Sequence, residues 1–105
     1  MRRGEIRFAD LEPVRGSETN KRRPVVIVSN DGANLRAATL GRGVVTVVPV
    51  TSNVARVLPF LARSSKAQGE QVSSIDVRRL GPRLGHLPPA VISELDEALR
   101  LHLGL

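Results

Sequence analysis

A chain of 105 residues is long enough for one domain with its own core. It has no cysteine, which excludes disulfides, thiolate metal sites and a cysteine nucleophile. The formal net charge of +6 comes mostly from arginine, with only Lys21 and Lys66 as lysines, and it directs attention to a polyanionic partner.

That charge is segregated. Residues 1–63 carry 11 basic and 5 acidic residues, while residues 64–105 carry 5 of each, so the first part holds the whole excess. Arginine over lysine suits phosphate, because a planar fork binds two oxygens at once. A high-GC genome also favours arginine codons, but it does not explain the segregation. Phe8 and Phe60 are the only aromatics, which argues against a base-stacking platform of the RRM or OB type. No apolar run approaches the ~18 residues that span a bilayer. Arg2, Arg3 and Glu5 interrupt any apolar signal core after Met1, so the expected location is the cytoplasm.

In chain order, Glu5 to Leu11 alternates and predicts a short half-buried strand. Glu12 to Arg23 is polar with Pro and Gly, hence an exposed loop. Pro24 to Ser29 is β-branched and continuous, a strand buried on both faces. Asn30 to Asn34 is turn-rich, with room for one helical turn through Leu35 to Ala38. Gly43 to Val50 is the strongest strand, and Pro49 marks its end, an edge or a bulge. Thr51 to Pro59 returns to loop. Glu70 to Ile75 is a weaker strand, followed by a short turn of helix at Asp76 to Leu80. Pro88-Pro89 starts a C-terminal helix. Val91, Ile92, Leu95, Ala98 and Leu99 form its apolar stripe, and Gly104 ends it. The simplest architecture is a small β-barrel or twisted sheet with one closing C-terminal helix.

An ordered series of short motifs runs through these elements. It comprises Gly4-Glu5-Ile6, Asp10-Leu11-Glu12-Pro13, Gly16-Ser17-Glu18 and Arg23-Pro24-Val25-Val26. It continues with Val48-Pro49-Val50-Thr51-Ser52, Pro59-Phe60 and Glu70-Gln71-Val72-Ser73-Ser74-Ile75-Asp76. No single motif is specific, but the ordered set resembles the MazF family, also called PemK or Kid-type toxins, of bacterial type II toxin–antitoxin systems. The resemblance implies an SH3-like small β-barrel closed by a C-terminal helix, a homodimer, and one domain over residues 1–105. It also implies a metal-independent endoribonuclease that cuts single-stranded RNA and messenger RNA at short sequences. The ends left would be a 2′,3′-cyclic phosphate and a 5′-hydroxyl, and a cognate acidic, MazE-like antitoxin would restrain the toxin. One departure is that region 60–71 is short by roughly one strand and its turn, about 8–10 residues. It reads as a deletion or as an omitted disordered loop, and the unpaired ladder left by a deletion favours the loop.

In RNA cleavage of this type the local 2′-hydroxyl attacks its own phosphate, so no protein nucleophile is needed. The protein must take a proton, stabilise the extra phosphorane charge and help the 5′ oxygen leave. Only His86 and His102 exist. His102 sits in the last helical turn, where the dipole explains it, and His86 lies in a loop before Pro88. No His, Asp or Glu cluster has metal-ligand spacing, so neither a metal nor another cofactor is expected.

Arg23 is the first catalytic candidate. It stands where the polar loop enters a buried strand, and it suits electrostatic clamping better than proton donation, given a pKa above about 12. The resemblance matches it to the family's catalytic arginine and Thr51 to the catalytic threonine, although a strand-end Thr is otherwise a ladder or cap residue. Glu18 matches a glutamate needed for full toxicity in some relatives, and would accept the 2′ proton or hold an arginine. Expected RNA contacts are Asn20, Lys21 and Arg22 from one loop and Ser52, Asn53 and Arg56 from the opposite one. Gln71 and Ser74 match a groove-lining strand, where Gln reads base edges. Three alternatives stay open: a non-catalytic toxin of this fold that poisons a protein such as DNA gyrase, a general basic nucleic-acid-binding domain, and an inactive toxin if region 60–71 is truly deleted.

Overall fold

Continuous β-branched sequence makes the centre of the molecule. In the computed structural model, which describes residues 1–10, 22–50 and 72–105, strand β2 (Arg22–Ile27) pairs on one side with β1 (Glu5–Asp10) and on the other with β3 (Val44–Pro49). Strand β4 (Ser73–Asp76) joins β3, and β5 (Leu80–His86) joins β1, giving the antiparallel order β4-β3-β2-β1-β5. Helix α1 (Asp31–Leu40) connects β2 to β3, and helix α2 (Pro89–Leu103) ends the chain.

Strand alternation divides the interior in two. On one face Ile6, Val26, Val48 and Val50 meet Leu87 and the stripe Val91, Leu95 and Leu99 of α2. On the other, Ala9, Val25, Ile27, Val45, Val47 and Ile75 pack with Ala37 of α1. The central strands are thus buried on both faces, as the continuous β-branched run of β2 predicts for that strand. Each of the three buried α2 side chains contributes roughly 1.5–3 kcal/mol by leaving water. Gly104 closes the helix in the left-handed conformation (φ 73°), with its N–H donating to Arg100 O. Arg3 ties the N-terminal segment to this layer. Its Nε donates to Val28 O at 2.8 Å, and its Nη2 donates to Asp96 Oδ1 on α2 at 2.7 Å.

The small β-barrel-like fold with a closing C-terminal helix is as expected, although among the described residues β4 and β5 remain open edges. Pro49 is the last residue of β3 and Val77–Arg79 form the expected short turn of 3₁₀ helix. Asp76 caps that turn, and the Arg78 side chain and backbone N–H hold its carboxyl down at about 2.

Several elements differ from expectation. Arg22 and Arg23 belong to β2 rather than to the loop before it, because they pair across to Asp10 and Ala9. The single helical turn over Leu35 to Ala38 is instead ten residues long. Asn30, which reads as a turn residue, accepts from Ala33 N at 2.8 Å and is the helix N-cap, and Gly41 closes the other end at φ 66°. Inside the helix, buried Asn34 is satisfied by Ser29 O at 2.8 Å and by the Ser29 hydroxyl. β5 has no counterpart in the predicted elements. It forms despite Gly81, Pro82 and Gly85 because it is an edge strand with register shifts against β1, where a missing N–H is tolerated. His86 therefore ends a strand rather than sitting in a loop. Ala98, placed on the apolar stripe, is exposed.

Candidate functional site

Arg23 stands at the beginning of a strand whose next four residues are buried. It lies opposite Ala9 and is exposed. A rigid strand thus aims a free guanidinium into solvent, and among the described residues no carboxylate pairs with it. One residue further on, Pro24 O accepts the N–H of Val50 at 2.9 Å. The residue after Arg23 is therefore fixed to the residue before Thr51. Any function shared by Arg23 and Thr51 gains from that tie.

Arg22 faces the other way. It is paired with Asp10, on the same side as Phe8, and its guanidinium carbon lies 5.4 Å from the centroid of that ring. Gly81 makes the room, since a Cβ there would run into Arg22 Nη2. Consecutive strand residues project to opposite faces, so Arg22 and Arg23 serve different sides of the sheet. Asp10 Oδ1 is buried and has no hydrogen-bond partner among the described residues.

Ser74 is exposed on edge strand β4, opposite Thr46. Strand β3 separates it from β2, and its pairing puts it on the face opposite to Arg23, so the structure does not bring Ser74 and Arg23 together. Glu18, Asn20, Lys21, Thr51, Ser52, Asn53, Arg56 and Gln71, together with region 60–71, lie outside the described residues.

Beside Arg23, on its own face, stands a group that the sequence reading does not single out. Arg7 Nε donates to Glu5 Oε1 at 2.8 Å and Arg7 Nη1 donates to Gly81 O at 3.0 Å. Arg83, directly opposite Arg7 on β5, reaches Glu5 Oε2 at 3.9 Å. The Glu5 side chain is 8% exposed, whereas that of Arg83 is 57% exposed. Burial alone would push the Glu5 carboxyl up. The Arg7 hydrogen bond, with the charges of Arg7, the N-terminus and Arg83, outweighs it and holds the group below its ordinary value. Alternation along β1 is the signal that could have found this cluster, since Glu5, Arg7 and Ala9 share a face. Arg83 was hidden with the rest of β5.

Comparison with known proteins agrees with this architecture. Residues 2–103 match the model of the PemK-like, MazF-like toxin of type II toxin–antitoxin systems. The chain is 54% identical to endoribonuclease MazF9 of Mycobacterium tuberculosis over 115 positions, covering 100% of this chain and 98% of that protein. Among solved structures, it resembles an endoribonuclease in complex with its cognate antitoxin from a mycobacterial species, with TM-score 0.73 and 25% identity over 100% of this chain and 94% of the other. The MazE–MazF complex of Deinococcus radiodurans gives TM-score 0.73 and 25% identity over 100% and 96% of the two chains. The chain belongs to the PemK-like, MazF-like family of type II toxin–antitoxin toxins.

Proposed function

We propose that this chain is a metal-independent endoribonuclease toxin that cuts single-stranded RNA, messenger RNA included. The observation that carries the reading is full-length similarity to a protein named as an endoribonuclease. Arg23, exposed at the start of a buried strand, supplies matching chemistry. In the reaction the 2′-oxygen attacks the adjacent phosphorus and the bond to the 5′ oxygen breaks. The 2′ proton leaves to a base and the departing 5′ oxygen gains a proton. A 2′,3′-cyclic phosphate and a 5′-hydroxyl remain.

Arg23 stabilises the developing phosphorane charge by charge-assisted hydrogen bonds to its oxygens. Thr51 orients the scissile phosphate, and Glu18 accepts the 2′ proton or holds an arginine in place. Asn20, Lys21, Ser52, Asn53, Arg56 and Gln71 hold the RNA on either side of the cut, whereas Arg22 and Ser74 stand on the face opposite Arg23. Residues 1–105 act as one domain in which region 60–71 is shorter than the family pattern, and the alignment with the mycobacterial relative runs over 115 positions for these 105 residues. The working form is a cytoplasmic homodimer restrained by an acidic MazE-like antitoxin. No helix of the described residues is long and apolar enough to cross a membrane.

The non-catalytic alternative finds no support, because the similar proteins bear the name endoribonuclease. The test is cleavage of a long RNA by purified protein, with the new ends sequenced. Ends carrying a cyclic phosphate and a 5′-hydroxyl are expected, and intact RNA beside arrested growth would favour a protein target.

A further inference from the structure

The face that presents Arg23 carries more positive charge than its carboxylate balances. Arg7 and Arg83 are a directly opposed cross-strand pair of like charge, an arrangement that is unfavourable on its own. Among the described residues they have one carboxylate between them, that of Glu5. Glu5 makes a close bond to Arg7 and only a 3.9 Å approach to Arg83. With its second contact to Gly81 O, Arg7 is locked in place, yet two of its five N–H groups suffice for those bonds. Arg83 is the exposed member, on a strand that forms an open edge among the described residues. This is an arginine pair oriented from below and short of one anion above.

Its position relative to Arg23 follows from the ladder. Arg23 lies across from Ala9, and Arg7 lies two residues back along β1 on the same face. From Arg23 to Arg83 is two strand spacings sideways and two residues along, about 12 Å between α-carbons. Extended arginine side chains on that scale serve successive phosphates of one strand rather than one phosphate together.

We propose that Arg7 and Arg83, held by Glu5, form a second phosphate subsite that binds the RNA backbone beside the phosphate at Arg23. It rests on the endoribonuclease reading and extends the RNA path across β1 towards β5. The subsite contacts backbone only, so it contributes affinity without base preference.

The test uses the full-length protein and a single-stranded oligonucleotide carrying a recognised cleavage sequence, with a 2′-deoxy sugar at the cut. Binding is measured over a salt series. The expected result for Arg83→Ala is several-fold weaker binding at every sequence and a salt slope shallower by about 0.7, the change for one lost phosphate contact on a single strand. Arg83→Lys should regain most of the slope. Arg78→Ala, an exposed arginine paired with Asp76 outside this face, serves as the control. If Arg83→Ala binds with the wild-type slope and affinity while the wild type cleaves the all-ribose RNA, the subsite is wrong and the nuclease reading stands. If the wild type neither binds nor cleaves, the nuclease reading itself has failed and the subsite falls with it.

Discussion

Arg22 lies over the ring of Phe8, 5.4 Å from guanidinium carbon to ring centroid, and Gly81 leaves the space it occupies. Its neighbour Arg23 projects from the opposite face with no carboxylate partner among the described residues. Two adjacent arginines with the same chemistry are thus given different tasks by strand alternation alone. One covers an aromatic ring, and the other is left free to meet an anion.

Arg22→Ala should therefore cost stability. A partly exposed cation–π contact is worth about 0.5–1 kcal/mol, and the loss is read as a lower urea midpoint with an unchanged denaturant slope. Gly81→Ala should produce a similar loss with Arg22 still present, since the added methyl displaces the guanidinium from the ring.

Arg23→Ala should leave the melting temperature within a degree or two of wild type, because the side chain is exposed and, among the described residues, has no carboxylate partner. It should lower the cleavage rate by roughly 10²–10³, the usual effect of removing one oxyanion donor. Gel-resolved cleavage beside a thermal melt separates the two quantities. A rate near wild type would remove Arg23 from the mechanism.

Glu5 gives the pH dependence a sign. Its carboxyl titrates lower in the folded chain than in the unfolded one, so its contribution is fully present above the ordinary glutamate value. It is lost as the pH falls below that value and through the depressed one. Urea midpoints measured from pH 7 down to pH 3 should show wild type losing stability in acid. Glu5→Gln should start lower by about 1–3 kcal/mol at neutral pH, with Arg7 left short of its carboxylate, and should show a flatter acid limb.

Leu95 sits at the centre of the buried α2 stripe, 6% exposed. Leu95→Ala should cost about 2–5 kcal/mol, measurable by chemical denaturation. Exposed Ala98, one turn on, should tolerate Ala98→Ser within about 0.5 kcal/mol.

Whether an element could be read from the sequence depended on where its stabilising contacts lie. β2, β3 and α2 carry their own signals, since Val25–Ile27 is an unbroken buried run, Val45, Val47 and Val48 are buried around Thr46, and Val91, Leu95 and Leu99 keep helical spacing. α1 buries only Asn34 and Ala37, so no apolar stripe announces it, and its cap residue Asn30 looks like a turn. β5 owes its strand form to pairing with β1 and contains two glycines and a proline, so local propensity points away from it. The site follows the same division. Arg23 was legible because it borders a buried strand and matches a family motif. The Glu5, Arg7 and Arg83 cluster was not, because it joins residues at the two ends of the chain through that unannounced strand.

The proposed cleavage uses the substrate's own 2′-hydroxyl, with arginine doing the electrostatic work. Its most direct test is incubation of purified protein with matched oligonucleotides in a chelator, one all-ribose and one with a single 2′-deoxy sugar at the cut. The first should be cut to cyclic-phosphate and 5′-hydroxyl ends, and the second should stay whole. Cleavage of the deoxy substrate, or loss of all cleavage in the chelator, would contradict it.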